Sequence, residues 1–251
     1  MTTKNLSQKF SKKQLSLLIG KTETPVVIFD LDGTLFDVSH RTIAILKMFS
    51  KQKEIRKKFK PELTLLSKIR SDDFLYSLES NLNRLGISRH SERGAEFIHL
   101  AEGIWFKNFF TDKFVLKDKP YEKAVETVQW FYKQGCKIVY LSGRDVPNMS
   151  RGTLNAMEKA GFPIKGPKIS VILKPDYGSD DLVFKRHSTE LITKSGTIVA
   201  TFDNEPANVD MFLKRFPKAY HFHFLSAYSK HLELKGRHFY KLKKFQDFTN
   251  S

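Results

Sequence analysis

The chain has 251 residues, of which 40% are hydrophobic and 28% are charged, and this composition excludes an intrinsically disordered protein. Lysine and arginine number 43 against 27 aspartate and glutamate residues. The resulting net charge of +16 favours anionic partners such as phosphorylated metabolites, nucleic acid or an anionic membrane surface. Cys136 is the single cysteine, which excludes an intramolecular disulfide and fits a reducing compartment.

The first 24 residues are basic and polar, with a short apolar run from Leu15 to Ile19 that Ser16 interrupts. This run is too short and too polar for a signal peptide or a membrane span, so we expect a cytoplasmic protein without a membrane partner. We interpret residues 1–24 as a leader segment that forms a helix against the body of the protein or stays partly ordered.

Buried strands are predicted where apolar residues run together. Pro25 opens the run Val26-Val27-Ile28-Phe29, and such a run is typical of a strand buried on both faces of a parallel sheet. Similar runs predict strands over residues 137–141, 169–173, 197–202 and 219–224. Amphipathic helices are predicted over residues 121–133, 149–160, 184–194 and 206–216. The alternation predicts an α/β fold with a Rossmann-like, three-layer parallel-sheet core formed by residues 25–37 and 117–251.

Residues 38–116 differ because they contain no apolar strand run. Helical periodicity over residues 41–49, 61–69, 73–85 and 92–110 predicts an α-helical domain inserted after the first strand. The basic run from Lys51 to Lys60 is interpreted as a solvated helix face, with contact to a substrate or nucleic acid as the alternative. Four aromatic residues are interpreted as core of this insert, with a lid over a substrate as the alternative: Trp105, Phe106, Phe109 and Phe110.

Polar residues follow three of the predicted strands, and ligands bind beyond the carboxyl ends of strands in such sheets. The first strand is followed by Asp30, Asp32, Gly33 and Thr34, the strand over 137–141 by Ser142, Gly143 and Arg144, and the strand over 197–202 by Asp203. Carboxylates that would otherwise repel one another there indicate a divalent cation with oxygen ligands, and we predict Mg²⁺.

This order of motifs resembles the haloacid dehalogenase-like (HAD) superfamily. The resemblance rests on Asp-x-Asp-Gly-Thr after an apolar strand, then strand-Ser-Gly-Arg, a lysine and strand-Asp, and it spans residues 25 to 210. It implies that Asp30 is the nucleophile that becomes an aspartyl-phosphate, and that Asp32 acts first as general acid and then as base. It also implies that Mg²⁺ is bound by Asp30, by Asp203 and by the backbone carbonyl of Asp32.

The resemblance further implies phosphate-binding groups and a lysine. The residues at the phosphate-binding positions are Gly33, Thr34, Ser142, Gly143 and Arg144. Lys185 is assigned as the lysine that neutralises the phosphoryl oxygens, and Lys174 is the competitor. An ion pair between Arg144 and Asp145 is the alternative to a substrate contact of Arg144.

The fourth motif departs from the usual pattern of the superfamily, which often has a second acid next to the first or four residues after it. Asn204 and Ala207 occupy those positions in this chain. The candidates to take the role of the second acid are Glu205, Asn208 and Asp210.

An acid at position 32 matches the superfamily members that hydrolyse phosphomonoesters or transfer phosphoryl groups, and not the dehalogenases or the phosphonate-cleaving members. Residues 38–116 fall where the superfamily places its helical, C1-type cap, which closes over the site and selects the substrate. The resemblance therefore implies a Mg²⁺-dependent phosphatase of a small phosphorylated metabolite, such as a sugar phosphate or a nucleotide.

Three other functions are kept as alternatives. The net charge of +16 motivates a phosphatase of nucleic-acid ends, whose affinity would depend on salt. A phosphoryl transferase or mutase would use the same residues. The missing second acid in the fourth motif motivates a non-catalytic binding protein with the same fold.

Four histidines lie near the C-terminus of the chain, at His221, His223, His231 and His238. His221 and His223 alternate on one face of a predicted strand, but no acidic partner accompanies them. We interpret these histidines as surface or hydrogen-bonded side chains in preference to zinc ligands.

Overall fold

The structure is a computed structural model, and it describes residues 10–228, 232, 234 and 239–249. Its strands are β1 (Pro25–Phe29), β2 (Phe36–Asp37), β3 (Lys119–Pro120), β4 (Lys137–Asp145), β5 (Ile169–Lys174), β6 (Thr197–Asp203), β7 (Tyr220–Phe224) and β8 (Phe239–Leu242). Within this described part, six strands form a parallel sheet in the order β5-β4-β1-β6-β7-β8. The predicted Rossmann-like α/β fold is therefore confirmed. Strand β8 has no predicted counterpart, because it lacks an apolar run.

The helices account for most of the remaining chain. They are α1 (Lys12–Lys21), α2 (Ser39–Phe49), α3 (Lys53–Lys58), α4 (Lys60–Leu66), α5 (Leu78–Arg84), α6 (Glu92–Phe109), α7 (Asp112–Val115), α8 (Ala124–Lys133), α9 (Val146–Ala160), α10 (Asp181–Thr193), α11 (Pro206–Arg215) and α12 (Phe245–Thr249). Four of them, α8 to α11, follow the predicted helices of the core to within three residues at either end.

Both faces of the sheet are covered, which explains the unbroken apolar run in β1. Val27 and Phe29 point into one apolar cluster, which also contains residues of α1, α8, α9 and α12. Val26 and Ile28 point into the cluster on the opposite face, which contains residues of α10 and α11. Side chains alternate between the two faces of a strand, so a strand covered on both sides needs apolar residues at every position.

The chain leaves the sheet after β1 and returns to it before α8. Strand β2 on the outgoing segment pairs with strand β3 on the returning segment to form a short antiparallel ribbon. In this ribbon Phe36 pairs with Pro120 and Asp37 pairs with Lys119. Between the crossings, helices α2 to α6 share a separate buried apolar cluster that includes Phe49, Phe59 and Phe97. The helical segment thus has a hydrophobic core of its own.

The predicted helix over residues 73–85 is wrong in its first part. The structure has a loop up to Ser77, and α5 begins at Leu78. Ser77 ends the loop because its hydroxyl accepts a hydrogen bond from the amide of Ser80 at 3.0 Å, as a helix N-cap does. The Asn81 side chain also binds both backbone groups of Leu75, at 2.9 and 2.8 Å, and this holds the loop in place.

The predicted leader segment contains α1, whose residues Leu15 and Ile19 are buried in the main core. The part of that segment before Phe10 lies outside the described residues. Phe10 itself packs against aromatic rings of β7, β8 and α12. Among the helices of the described residues, none is long and apolar enough to cross a membrane.

Candidate active site

Two carboxylates and one ammonium group meet at the carboxyl ends of adjacent strands. Asp30 follows β1 and Asp203 ends β6, and these strands pair with each other. Lys185 reaches both carboxylates from α10: its Nζ donates to Asp30 Oδ1 at 2.7 Å and to Asp203 Oδ2 at 2.8 Å. All three residues are buried. The sequence predicted these three residues, and the fold brings them into direct contact.

Burial of this cluster perturbs its protonation equilibria. Burial raises the pKa of Asp30 to about 7, against the opposing effect of Lys185 and with the carboxylate of Asp203 raising it further. Burial also acts to lower the pKa of Lys185, but the carboxylates of Asp203 and Asp30 raise it above its usual value. With both carboxylates ionised, the cluster carries one excess negative charge in a buried site.

This charge balance bears on the predicted Mg²⁺. Among the described residues, no three His, Cys, Asp or Glu side chains gather into a metal-binding group. The acidic side chains at this point are those of Asp30 and Asp203, and the predicted contribution of Asp32 is a backbone carbonyl. Oxygen ligands with an uncompensated negative charge are the donors that Mg²⁺ prefers. The residues present therefore fit the ion.

The residues around these carboxylates orient them by hydrogen bonds. Thr34 Oγ1 donates to Asp30 Oδ2 at 2.9 Å. Asn208 Nδ2 lies 3.1 Å from both oxygens of Asp203, and the amide of Glu205 donates to Asp203 Oδ1 at 2.9 Å. Of the three candidates for the second acid, Asn208 and Glu205 thus contact Asp203. The third, Asp210, instead pairs with Lys214 on an exposed helix surface.

The Asp32 side chain is held by two arginines. Arg144 Nε donates to Asp32 Oδ1 at 2.6 Å, and Arg41 Nη2 lies 3.3 Å from the same oxygen. Burial acts to raise the pKa of Asp32, but the guanidinium groups of Arg144 and Arg41 lower it below its usual value. Asp32 is therefore ionised at neutral pH in this arrangement.

The same two arginines share a second carboxylate, that of Asp118. Arg41 Nε donates to Asp118 Oδ1 at 2.9 Å, and Arg144 Nη2 donates to Asp118 Oδ2 at 2.7 Å. Thr153 completes the environment of Arg144, at 3.1 Å from Nη1. Both arginines and Asp118 are buried, and we call Asp32, Arg41, Asp118 and Arg144 the arginine–aspartate network.

Sequence reasoning missed Arg41 and Asp118. They are 77 residues apart and belong to no motif, so no local signal could have identified them. The alternative ion pair between Arg144 and Asp145 is not formed. Asp145 Oδ1 instead accepts from the amide of Asn148 at 2.9 Å and caps α9.

Lys174, the competitor of Lys185, lies elsewhere. Its Nζ donates to Asp181 Oδ1 at 2.6 Å and to the carbonyl of Ser179 at 2.9 Å. Lys185, and not Lys174, therefore reaches the pair of carboxylates formed by Asp30 and Asp203.

The predicted phosphate-binding residues Gly33, Ser142 and Gly143 border the same cavity as Asp30. Gly33 has a φ of +76°, in the left-handed region that favours glycine. A Cβ at this position would come within 3.0 Å of the carboxamide carbon of Asn204. Glycine is thus required here both for the turn after β1 and for the close approach to the fourth motif.

Gly33→Ala should lower the free energy of unfolding by about 1–2 kcal/mol from the left-handed backbone alone. Urea denaturation would measure this. Gly20→Ala is the matched control, because Gly20 lies in α1 with no atom within 4 Å of an added Cβ. That change should stabilise the protein by about 0.5–1 kcal/mol. Equal effects of the two substitutions would contradict the conformational role of Gly33.

The described histidines of β7 form hydrogen bonds within the core. His221 Nδ1 lies 2.8 Å from Thr201 Oγ1, and His223 Nε2 lies 2.9 Å from the carbonyl of Asn204. Both side chains are buried, which agrees with the interpretation as hydrogen-bonded histidines. His231 and His238 lie outside the described residues.

A cavity of about 1690 Å³ connects this site with the helical segment. The core contributes Asp30, Asp32, Ser142 and Lys185 to its lining. The helical segment contributes residues 71–80 and much of the C-terminal half of α6. The cavity therefore lies between the carboxyl end of the sheet and the helices inserted after β1.

Comparison with known structures shows the same fold in proteins of low sequence identity. A candidate phosphatase from Clostridium difficile has a TM-score of 0.51 at 13% identity, with 92% of this chain and 99% of that chain covered. A candidate haloacid dehalogenase-like hydrolase from Burkholderia xenovorans LB400 has a TM-score of 0.51 at 12% identity, with 90% and 95% covered. Protein tyrosine kinase A of Mycobacterium tuberculosis has a TM-score of 0.51 at 12% identity, with 92% and 98% covered. These likenesses establish the fold alone.

Sequence comparison identifies the family. No curated protein sequence matches the chain. The family model described as haloacid dehalogenase-like hydrolase matches residues 24–176, which are more than half of the chain and include the first two motifs. The chain therefore belongs to the haloacid dehalogenase-like hydrolase family.

Proposed function

We propose that the protein is a Mg²⁺-dependent phosphatase that hydrolyses a small phosphomonoester through an aspartyl-phosphate on Asp30. The observation that carries this proposal is the contact of Lys185 with Asp30 and Asp203 at the carboxyl ends of β1 and β6. A buried carboxylate beside a lysine is suited to attack phosphorus, because the ammonium group, together with a bound Mg²⁺, would offset the charge of the phosphoryl oxygens.

In the first step, an Asp30 oxygen forms a bond to phosphorus while the bond from phosphorus to the leaving oxygen breaks. Asp32, which is ionised in the free site, takes a proton from the monoanionic form of the bound ester, gives it to that oxygen and is a carboxylate again. In the second step, Asp32 takes a proton from a water molecule that attacks phosphorus, and the bond from Asp30 to phosphorus breaks. Arg144 and Arg41 favour the carboxylate form of Asp32, which is the form that the second step needs.

The other predicted residues bind the phosphate or position the catalytic groups in this proposal. The hydroxyl of Ser142 and the amide of Gly143 bind phosphate oxygens, and Gly33 leaves room for them. Thr34 and Arg144 act through their bonds to Asp30 and Asp32. Mg²⁺ would be held by Asp30, Asp203 and the backbone carbonyl of Asp32, and it would supply positive charge next to the phosphoryl oxygens.

We further propose that residues 38–116 act as a helical cap on a core formed by residues 25–37 and 117–251, with residues 1–24 as a leader segment. The separate apolar cluster of α2 to α6 and the cavity between these helices and the sheet support this division. A cap that encloses the site would exclude water and select the substrate.

Removal of metal should abolish activity. EDTA should reduce the release of p-nitrophenol from p-nitrophenyl phosphate to background, and excess Mg²⁺ should restore it, because the negative charge of the substrate would otherwise meet the carboxylates of Asp30 and Asp203. A thermal unfolding curve in EDTA is the control for loss of the fold. Full activity in EDTA would contradict the metal-dependent proposal.

A further inference from the structure

The cavity over the candidate active site is larger than a phosphate ester of a small alcohol requires. Its volume of about 1690 Å³ exceeds the range of roughly 300–1,000 Å³ that is usual for pockets that enclose drug-sized ligands. The residues around Asp30 occupy one part of its lining, and the remainder belongs largely to the helical segment. The cavity therefore has room for a leaving group of substantial size.

Aromatic side chains border this additional space. Phe106 of α6 and Tyr76 of the loop before α5 line the cavity, with 58% and 63% of their surfaces exposed, and Leu75 beside Tyr76 is 38% exposed. Large apolar side chains that are exposed together in a concave site indicate a binding surface. The sequence-based interpretation as core thus fails for Phe106, whereas Phe109 is buried.

The Phe106 ring is held in place although most of it is exposed. It makes edge-type contacts with Phe110 and Tyr177, at centroid distances of 5.8 and 5.9 Å. Phe110 in turn contacts Tyr177 at 4.9 Å. A ring that neighbouring rings already hold loses little conformational entropy when a ligand packs on it.

Tyr76 extends from the helical segment towards the edge of the core. Partial burial raises the pKa of its hydroxyl, and the carboxylates of Glu205 and Asp181 raise it further. Both of these acids belong to the core side of the same cavity. The aromatic surface therefore lies within the cavity that contains Asp30.

The charge of the lining disfavours a second phosphate or a nucleic-acid strand. Apart from the proposed catalytic residues, seven acidic residues of the described chain line the cavity, whereas its lysines are Lys107 and Lys243. Several of the acids are already paired: Glu79 and Glu102 contact Arg89, for example. The net charge of +16 is thus not concentrated in this cavity, and a second phosphate would find few lysines in its lining.

We propose that the cavity takes a phosphomonoester whose leaving group carries a flat, uncharged ring, and that Phe106 and Tyr76 are the residues on which the ring packs. This inference rests on the proposed phosphatase function. The ring belongs either to a nucleoside or to another aryl-bearing alcohol, since both present the same flat face.

Matched pairs of esters test this inference in the presence of Mg²⁺. Adenosine 5′-monophosphate is compared with ribose 5-phosphate, and 2-phenylethyl phosphate is compared with ethyl phosphate. In each pair, both esters carry the phosphate on a primary alcohol, and one of them has an additional aromatic ring. The ring-bearing ester should have a kcat/KM about tenfold higher, the size of one stacking contact. A preference in the first pair alone identifies a nucleoside, and a preference in both identifies a general aryl site.

Phe106→Ala should reduce this ratio about tenfold, and Phe106→Tyr should preserve it. Leu100→Ala is the control, because Leu100 is also exposed on α6 but does not line the cavity, and it should leave the ratio unchanged. The inference is overturned if the parent protein shows no preference in either pair. It is also overturned if Phe106→Ala lowers kcat/KM equally for both members of a pair.

Binding to the Asp30→Asn variant separates this inference from the proposed function. Calorimetry should show tighter binding of adenosine 5′-monophosphate or 2-phenylethyl phosphate than of its ring-free counterpart, without turnover. If the parent hydrolyses no ester while this variant keeps the preference, the phosphatase proposal fails and the ring site stands. Equal affinities within both pairs overturn the ring site, whatever the activity of the parent.

Discussion

Asp30→Asn should lower the rate of phosphate release from p-nitrophenyl phosphate by about 10³-fold or more. Asparagine has nearly the same shape as aspartate, but its amide cannot form the acyl phosphate that the proposed mechanism requires. Lys185 would keep its contact with Asp203, so one carboxylate and one ammonium group would remain paired in the buried cluster. The variant should therefore fold, and its activity should be lost at the chemical step. Initial rates and circular dichroism spectra of parent and variant measure the two effects.

Asp210→Asn is the matched control for this substitution. Asp210 lies on α11 close in sequence to the fourth motif, but its partner is Lys214 and it does not line the cavity. It should keep full activity. Comparable activity in Asp30→Asn would overturn the covalent mechanism, and a loss of fold in Asp30→Asn but not in Asp210→Asn would show a structural role instead.

Arg41→Met should lower the free energy of unfolding by about 3–5 kcal/mol. Arg41 is buried between Asp118 and Asp32, so its removal leaves two carboxylates that share the single charge of Arg144. Burial already raises the pKa of Asp118 despite both arginines, which shows how strongly this site disfavours an uncompensated charge. Urea denaturation with two spectroscopic probes would measure the loss and test whether unfolding has two states.

Arg89→Met provides a matched comparison, because Arg89 also bridges two acids, Glu79 and Glu102, but at the exposed surface. Its loss should lower the stability far less than Arg41→Met does, because exposed ion pairs are screened by solvent and contribute little. Addition of Asp118→Asn to Arg41→Met should recover part of the stability, because it restores the charge balance of the arginine–aspartate network. Similar losses for Arg41→Met and Arg89→Met would contradict the structural importance of this network.

Much of the fold could be predicted because its signals are local. The run Val26-Val27-Ile28-Phe29 is apolar at every position, and the two apolar clusters on opposite faces of β1 explain why. The other predicted strands are also present, although β5 is only partly buried and β7 contains two histidines. The loop before α5 was harder to predict, because its end depends on hydrogen bonds of Ser77 and Asn81 that override an otherwise helical pattern. Strand β8 has mixed polarity, and its pairing with β7 defines it.

Some residues of the candidate site could likewise be predicted from local signals, whereas others depended on tertiary contacts. Asp30, Ser142 and Asp203 could be predicted because each directly follows the apolar run of a buried strand, and parallel strands bring such positions to one edge. The choice of Lys185 over Lys174 needed the structure. Lys174 ends the edge strand β5 and pairs with Asp181, whereas α10 brings Lys185 to Asp30 and Asp203.

By itself, the sequence determined the parallel-sheet core and the order of the motifs, since hydrophobic periodicity and strand ends are properties of short segments. The tertiary structure alone decided the environment of Asp32, where Arg41 and Asp118 come from segments 77 residues apart. It also decided how far the rings of α6 are exposed, since Phe106 is largely exposed and Phe109, three residues later, is buried, although both line the cavity. Burial and charge pairing depend on which distant segments pack together, and a linear pattern does not contain that information.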